Sequence, residues 1–274
     1  MRVACRAAKL GNRHLGLVPT MGALHEGHLS LVRAAKAQCG VAAVSIFVNP
    51  KQFGPHEDFS KYPRNFAHDC EILSKENVDL LFAPSVEEMY PSPTATWVNV
   101  EGLSERLCGK SRPGHFRGVA TVVSKLFNIA EPDAAFFGQK DAAQLAIIRR
   151  MVRDLNFAVE IVACPIVRDP DGLALSSRNS YLDPQQRKAA TALYRCLQEI
   201  QQAFDQGERQ AEKLITVGKG MIQQDPLLRW DYLEIVDPDS LEEIRTVSTQ
   251  SLVAVAAFVG PTRLIDNVLL KLPA

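Results

Sequence analysis

Apolar residues follow two alternating patterns along the first part of the chain: short unbroken runs, and longer stretches in which they recur every three or four positions. Leu15 to Val18 and Val41 to Val48 are runs of the first kind and read as strands; the second is apolar on both faces, as in a parallel sheet. They stop at Pro19 and at Asn49-Pro50. Between them Leu29, Val32, Ala35 and Cys39 repeat at helical spacing, and Gly40 is placed to end that helix. Tyr62-Pro63-Arg64-Asn65 opens a helix to about residue 76, with Phe66, Cys70 and Leu73 on one face, and Asp79 to Ala83 is a third strand. A helix through Val119, Val122, Val123, Leu126, Phe127 and Ala130 precedes a strand at Ala134 to Phe137. Another, through Ala142, Leu145, Ile148, Val152 and Leu155, precedes a fifth strand at Val159 to Val162. Repeated β-α connections imply an α/β fold with a parallel, doubly wound, Rossmann-like sheet. Residues 1–14, short and basic, are expected to be a helical remnant over the sheet edge.

The pattern changes after a hinge at 164–182, which holds the strong turn Asp169-Pro170-Asp171-Gly172. Asp183, Pro184 and Gln186 occupy N-cap, N1 and N3 of a helix whose apolar stripe runs from Ala189 through Leu193, Cys196, Leu197 and Ile200 to Phe204, ending at Gly207. A second helix is expected over 208–224 through Leu214, Ile215, Met221 and Ile222, then strands over 229–236, 251–259 and 264–271. The reading is therefore a Rossmann-like domain at 1–175 and a smaller α+β domain at 176–274 that covers the site as a lid.

Length agrees with roughly two domains, 274 residues being enough for two cores. Lysine plus arginine and aspartate plus glutamate both number 31, so the overall charge attracts neither nucleic acid nor an anionic membrane. No apolar stretch reaches membrane-spanning length and residues 1–14 lack a signal-peptide core, so a cytoplasmic protein is expected. The six cysteines form no C-x-x-C pair, which favours buried free thiols over disulfides or zinc.

The chemistry concentrates at junctions. His25 and His28 lie where a loop enters a helix, where unpaired N–H groups and the helix dipole favour an anion. They could instead be two metal ligands, although no third is spaced nearby and H-E-x-x-H is absent, or two surface histidines. Gly138, Gln139, Lys140 and Asp141, with Gln144 beyond, form a second strand-to-helix junction with a phosphate-friendly composition. Ser111 to Gly118 sets Arg112, His115 and Arg117 in a Gly/Pro-punctuated loop, either an anion clamp or a solvated basic loop. Ser176, Ser177, Arg178 and Asn179 suit a polyphosphate tail or a helix cap and linker. Arg149, Arg150 and Arg153 read as a solvated face, and Gln52 follows a strand end where ligands bind in open α/β sheets.

Taken together, PTMGALHEGH at 19–28, SIFVNPKQF at 45–53, YPR at 62–64, RPGHFRGV at 112–119, FGQKDAAQ at 137–144, DGLALSSRN at 171–179 and RLIDN at 263–267 resemble the pantoate–β-alanine ligase family, related to the H-x-G-H nucleotidylyltransferases. The resemblance implies an AMP-forming ligase of pantothenate biosynthesis that uses ATP with Mg²⁺ and passes through pantoyl adenylate; it leaves the protein ligands of the metal open. It implies an ATP loop of Met21, Gly22, Ala23, Leu24, His25, Glu26, Gly27 and His28, with His28 as proton donor and His25 assisting. Gly138, Gln139, Lys140 and Asp141 would contact ATP, Lys140 at phosphate, and Val167 would line the adenine pocket. Leu175, Ser176, Ser177 and Arg178 resemble a mobile KMSKS-like segment with Arg178 on the departing pyrophosphate. Gln52 and Gln144 would hold pantoate, Gln52 also β-alanine, and Arg112 and His115 would gate the site. A homodimer is implied. The chain departs from the family in a shorter stretch before PTMG and in Gln139, where an acidic residue is common and whose neutral side chain leaves Lys140 less neutralised. Two other readings remain: a nucleotidylyltransferase that keeps the nucleotide on its product, and a silent ATP-binding module.

Overall fold

The structure, a computed structural model, describes residues 1–222 and 225–272. The chain runs α1 (Arg2–Ala8), β1 (His14–Thr20), α2 (Glu26–Cys39), β2 (Gly40–Ile46), α3 (Phe66–Lys75), β3 (Leu80–Phe82), α4 (Val86–Met89), α5 (Cys108–Ser111), α6 (His115–Ala130), β4 (Ala134–Gly138), α7 (Ala142–Asp154) and β5 (Glu160–Cys164). It continues through α8 (Pro184–Ala190), α9 (Ala192–Asp205), α10 (Ala211–Ile222), β6 (Leu228–Val236), β7 (Ser251–Val259) and β8 (Thr262–Leu270). The first five strands form one parallel sheet in the order β3-β2-β1-β4-β5, and the last three an antiparallel sheet, β6-β7-β8. The α/β, doubly wound architecture expected from the apolar pattern is the one observed.

Strand order reverses between β1 and β4. After β1 the chain winds outward through β2 to β3, then returns to lay β4 and β5 on the other side. The crevice beyond the carboxyl ends of two such strands is where open α/β sheets bind ligands. That reversal brings the loop after β1, with His25 and His28, beside the junction after β4, with Lys140.

Helices cover both faces because the strands are apolar on both. Val18, Val44 and Phe136 pack with Leu31, Val32 and Ala35 of α2 and Leu73 of α3. Leu15, Leu17 and Phe137 pack on the other face with α6 and α7 through Val119, Leu126, Leu145 and Ile148. Gly16 allows the close approach of α2, since a Cβ there would stand 3.0 Å from both Ala35 Cβ and Phe136 Cε2. The second of these cores also takes in Val236, Leu241, Leu252 and Ala254, so the antiparallel sheet is packed against the first sheet's helices. Its other face packs on α9 and α10 through Leu193, Cys196, Leu197, Ile200 and Leu214.

Four expectations need correction. Helix α1 does not cover a sheet edge: it lies on the end of α6, burying Cys5 in that core and pairing Arg6 with Glu131 and Lys9 with Asp133. The inward face of α3 is set by Asp69 and Leu73, while Phe66 is exposed, because the loop after β1 presents N–H groups there. The single helix expected from Asp183 to Gly207 is two, interrupted at Thr191, whose hydroxyl donates to the Lys188 carbonyl. The second helix of that part begins at Ala211; its expected last residues, 223–224, lie outside the described residues, as do the side chains of Met221 and Ile222. All six cysteines are free thiols, with Cys70 half-buried and the others buried.

Helix α6 fixes the loop after β2. A Cβ on Gly118 would fall 2.2 Å from the Lys51 carbonyl oxygen and 2.7 Å from Gln52 Cα. Gly118→Ala is therefore expected to destabilise the fold by about 1–3 kcal/mol through overpacking against backbone. An unchanged denaturation midpoint in urea would show that the Pro50–Gln52 turn gives way freely.

Candidate active site

The two histidines clasp the start of α2. The His25 backbone N–H donates to His28 Nδ1 at 3.3 Å, and the Gly27 N–H donates to His25 Nδ1 at 3.2 Å. With both Nδ1 atoms accepting, each neutral ring carries its proton on Nε2. Gly27 is needed for this fold-back, because a Cβ there would lie 2.9 Å from His25 Cε1. The ring centroids are 4.1 Å apart. Burial, reinforced by the nearby Lys140 ammonium, pushes His25 down to about 4. Burial, then the His25 and Lys140 charges, pushes His28 down to about 3. Both rings are therefore neutral N–H donors at pH 7, lining a cleft of about 230 Å³.

Lys140 faces the same cleft from the opposite junction. Its backbone is held by the antiparallel sheet: Asn267 Nδ2 of β8 donates to the carbonyls of Gln139 and Lys140, each at 2.9 Å. Asn267 is in turn fixed by Asp266, which accepts its N–H and takes a bidentate pair from Arg168. Gly138, Asp141, Gln144, Val167, Leu175, Ser176, Ser177 and Arg178 also line the cleft, with Met21, His25, Gly27 and Gln52. Ser177 Oγ donates to the Ala23 carbonyl at 3.0 Å, which ties the segment at 176–178 to the histidine loop.

Some sequence-predicted residues do not present side chains to the cleft. Glu26 is exposed and paired with Arg33, Leu24 is buried under α2, and Gln139 turns towards Asn267. Gly22 and Ala23 instead shape the loop, with φ of +78° and +49°.

The guanidiniums arrive already paired. Arg178 makes two 2.9 Å bonds to Asp58, and Arg112 binds both carboxylate oxygens of Glu57 at 2.7 and 2.5 Å. These acids are adjacent in one loop, and Arg178 and Arg112 hold their carboxyls below the usual range against the opposing effect of burial. Arg112 also donates to His115 Nε2 at 3.0 Å, so His115 Nδ1–H donates to the Gln52 carbonyl at 2.8 Å; burial and Arg112 push His115 down to about 3. A larger cavity of about 670 Å³ shares Arg112, Lys140 and Arg178 as its wall and extends towards Arg263 and Tyr232.

The Gln52 amide is oriented by a residue that sequence reasoning treated only as a strand end. Asn49, buried, donates to Gln52 Oε1 at 3.0 Å and to the Gly118 carbonyl at 3.1 Å, and accepts from Tyr90 at 3.0 Å. Gln52 therefore turns its NH₂ towards Met21 and the cleft. Asn49, Asp69, Glu57, Asp58 and Asn267 were all missed as site residues; two of them, Asn49 and Asn267, lie inside the motifs at 45–53 and 263–267, and that was the one signal available.

The sequence model of the pantoate-beta-alanine ligase family matches residues 1–269. The chain belongs to the pantoate–β-alanine ligase family. It is 59% identical over 260 residues to the pantothenate synthetase of Acidobacterium capsulatum, covering 95% of this chain and 87% of that protein. A crystal structure of pantothenate synthetase from Thermus thermophilus superposes with a TM-score of 0.94 at 47% identity, over 99% of this chain and 98% of that one. The pantoate-beta-alanine ligase of Francisella tularensis, crystallised with beta-gamma ATP and beta-alanine, is 34% identical with a TM-score of 0.79, over 98% of this chain and 94% of that one. Among the described residues of this ligase-family chain, no helix is long and apolar enough to cross a membrane.

The depressed histidines set a pH dependence. In the unfolded chain they take up protons below about pH 6.5, whereas folded His25 and His28 resist until about 4 and 3. The folded state is thus favoured most above pH 6.5, and this contribution is lost as pH falls from there to about 4 for His25 and about 3 for His28. Discounting for cleft water, each histidine is expected to withdraw on the order of 1 kcal/mol between pH 6.5 and 5. Urea midpoints for wild type and His28→Gln should converge on acidification; parallel curves would mean that the ring titrates normally.

Proposed function

We propose that this chain joins pantoate to β-alanine in two steps at the β1/β4 crevice, using ATP. In the first, a pantoate carboxylate oxygen bonds to the α-phosphorus as the bond to the bridging oxygen of pyrophosphate breaks, giving pantoyl adenylate. In the second, the amine of β-alanine attacks the acyl carbon, AMP departs and the nitrogen loses a proton. The observation that carries this reading is the convergence of His25, His28 and Lys140 on one cleft that also holds Gln52 and Gln144, in a chain of this family.

The first step brings two anions together, so the site must supply donors already in place. The Nε2–H groups of His25 and His28 donate to phosphate oxygens, and Lys140 supplies a fixed charge. Gly138 and Asp141 face the ribose, and Val167 the adenine. Arg178 leaves Asp58 for the departing pyrophosphate, with Leu175, Ser176 and Ser177 closing behind it, and Arg112 with His115 gates the entrance. Gln52, its NH₂ presented by Asn49, and Gln144 hold pantoate; Gln52 afterwards meets β-alanine. Residues 1–175 bind the substrates and 176–274 covers them.

Among the described residues no group of three or more His, Cys, Asp or Glu side chains converges on a point. Asp141 is the carboxylate lining the smaller cavity. These residues fit a Mg²⁺ carried by the phosphates and water, with Asp141 available to it, and not a protein cage. Bound there, the ion would neutralise phosphate charge. The protein is further proposed to work as a cytoplasmic homodimer through residues of the first sheet and its helices, which sedimentation tests.

With ATP, Mg²⁺, pantoate and β-alanine together, release of AMP and pyrophosphate is expected, and omission of pantoate should abolish both. Retention of the nucleotide on the product would instead make the chain a nucleotidylyltransferase. His28→Ala should keep its circular dichroism spectrum and lose roughly 10²–10⁴-fold in turnover; undiminished turnover would remove His28 from the chemistry.

A further inference from the structure

The cleft uses the front of the loop at 21–28, while its back is held by one buried carboxylate. Asp69, 1% exposed, accepts from the Ala23 N–H at 3.0 Å and from the Leu24 N–H at 2.9 Å, one oxygen to each. It stands in the first turn of α3, where the helix dipole favours negative charge. Among the described residues no lysine, arginine or histidine is paired with it. A carboxylate buried without a counter-ion is costly unless hydrogen bonds offset the lost hydration, and here the loop supplies them.

The loop in turn needs to be held. Gly22 and Ala23 both have positive φ, +78° and +49°, and for Ala23 that conformation persists only where its surroundings impose it. The two N–H groups that Asp69 grips belong to Ala23 and to the next residue, immediately before His25. The Ala23 carbonyl is meanwhile taken by Ser177 Oγ. Released from Asp69, Ala23 would relax towards right-handed backbone, turning His25 and the 176–178 segment away together.

We propose that Asp69 is a positioning residue for the nucleotide step: it imposes the left-handed turn that aims His25 and His28 at the phosphates. This rests on the reading of residues 21–28 as the ATP loop. It predicts an effect confined to ATP and adenylate formation, with the amine step spared.

Asp69→Asn is the direct test, since its amide keeps one acceptor and sets an NH₂ against the second N–H. Pantoate-dependent ATP–pyrophosphate exchange should slow by about 10- to 100-fold and KM for ATP should rise about 10-fold, with KM for β-alanine unchanged. Asp69→Glu probes the same contact with the charge kept, since the longer side chain at a position 1% exposed cannot set one oxygen on each N–H, and should give the same split. If folded Asp69→Asn exchanges within twofold of wild type at unchanged KM for ATP, the proposal is overturned. If Asp69→Asn does not fold, Asp69→Glu decides by the same criterion, and failure of both to fold also overturns it, because Asp69 would then be structural. Wild type without exchange would sink the ligase reading itself.

Discussion

β1 and β4 share only a short ladder, Gly16 and Leu17 against Ala134 and Ala135, yet the histidines and Lys140 hang from the carboxyl ends of these two strands. Their distant places in the sequence become one cleft because the strand order reverses between them. The ladder depends on a glycine at its first position, since any Cβ on Gly16 would push against Ala35 of α2 and Phe136 of β4 at once. Close packing of α2 onto the sheet sets where that helix begins, and its beginning is where both imidazoles sit. Sheet topology, helix packing and the placement of the two imidazoles in the cleft are thus one constraint viewed at three scales.

Electrostatics follow from this placement. Burial first, and then the mutual repulsion of two imidazoles and an ammonium around one narrow cleft, keeps both rings neutral. The guanidiniums cannot be deprotonated, so they are handled differently: Glu57 and Asp58, neighbours in one loop, pair with Arg112 and Arg178. Anions arriving at the cleft would exchange with these carboxylates, which limits what the arginines contribute to net affinity.

Much of this was legible in the sequence. Every strand of both sheets was located by its apolar run, and the junctions after β1 and β4 stood out because histidine, lysine and glycine cluster where a run ends. The supporting groups were not legible, for a physical reason. Asp69 lies on a helix whose apolar residues suggest a different inward face, and only a loop far away in sequence explains a carboxylate there. Asn49 reads as a strand terminator, although its amide is satisfied by Gln52, Gly118 and Tyr90 from three separate segments. Periodicity reports which face is buried against apolar neighbours; it carries no information about a polar side chain whose partners are backbone groups elsewhere. The same blindness hid the docking of α1 on α6, which rests on Arg6, Lys9, Glu131 and Asp133.

Asn267 shows what the antiparallel sheet contributes. Its two bonds to the carbonyls of Gln139 and Lys140 fix the backbone from which Lys140 projects, and the Arg168–Asp266 pair behind it is nearly closed to solvent on the acid side. Apolar contacts from Val236, Leu252 and Ala254 continue into the core beneath α6 and α7. A movement that carried β8 away from the first sheet would break this chain of contacts and shift Lys140 relative to His25 and His28. Among the described residues, rearrangement during turnover is therefore cheapest in parts that make no hydrogen bond to β8, although β8 packs against Ser177–Tyr181. These are the Glu57–Asp58 loop and the 176–178 segment, joined to each other by the Asp58–Arg178 pair and to the histidine loop by a single Ser177 bond. Opening those few bonds is therefore the least costly way for an otherwise rigid crevice to change shape.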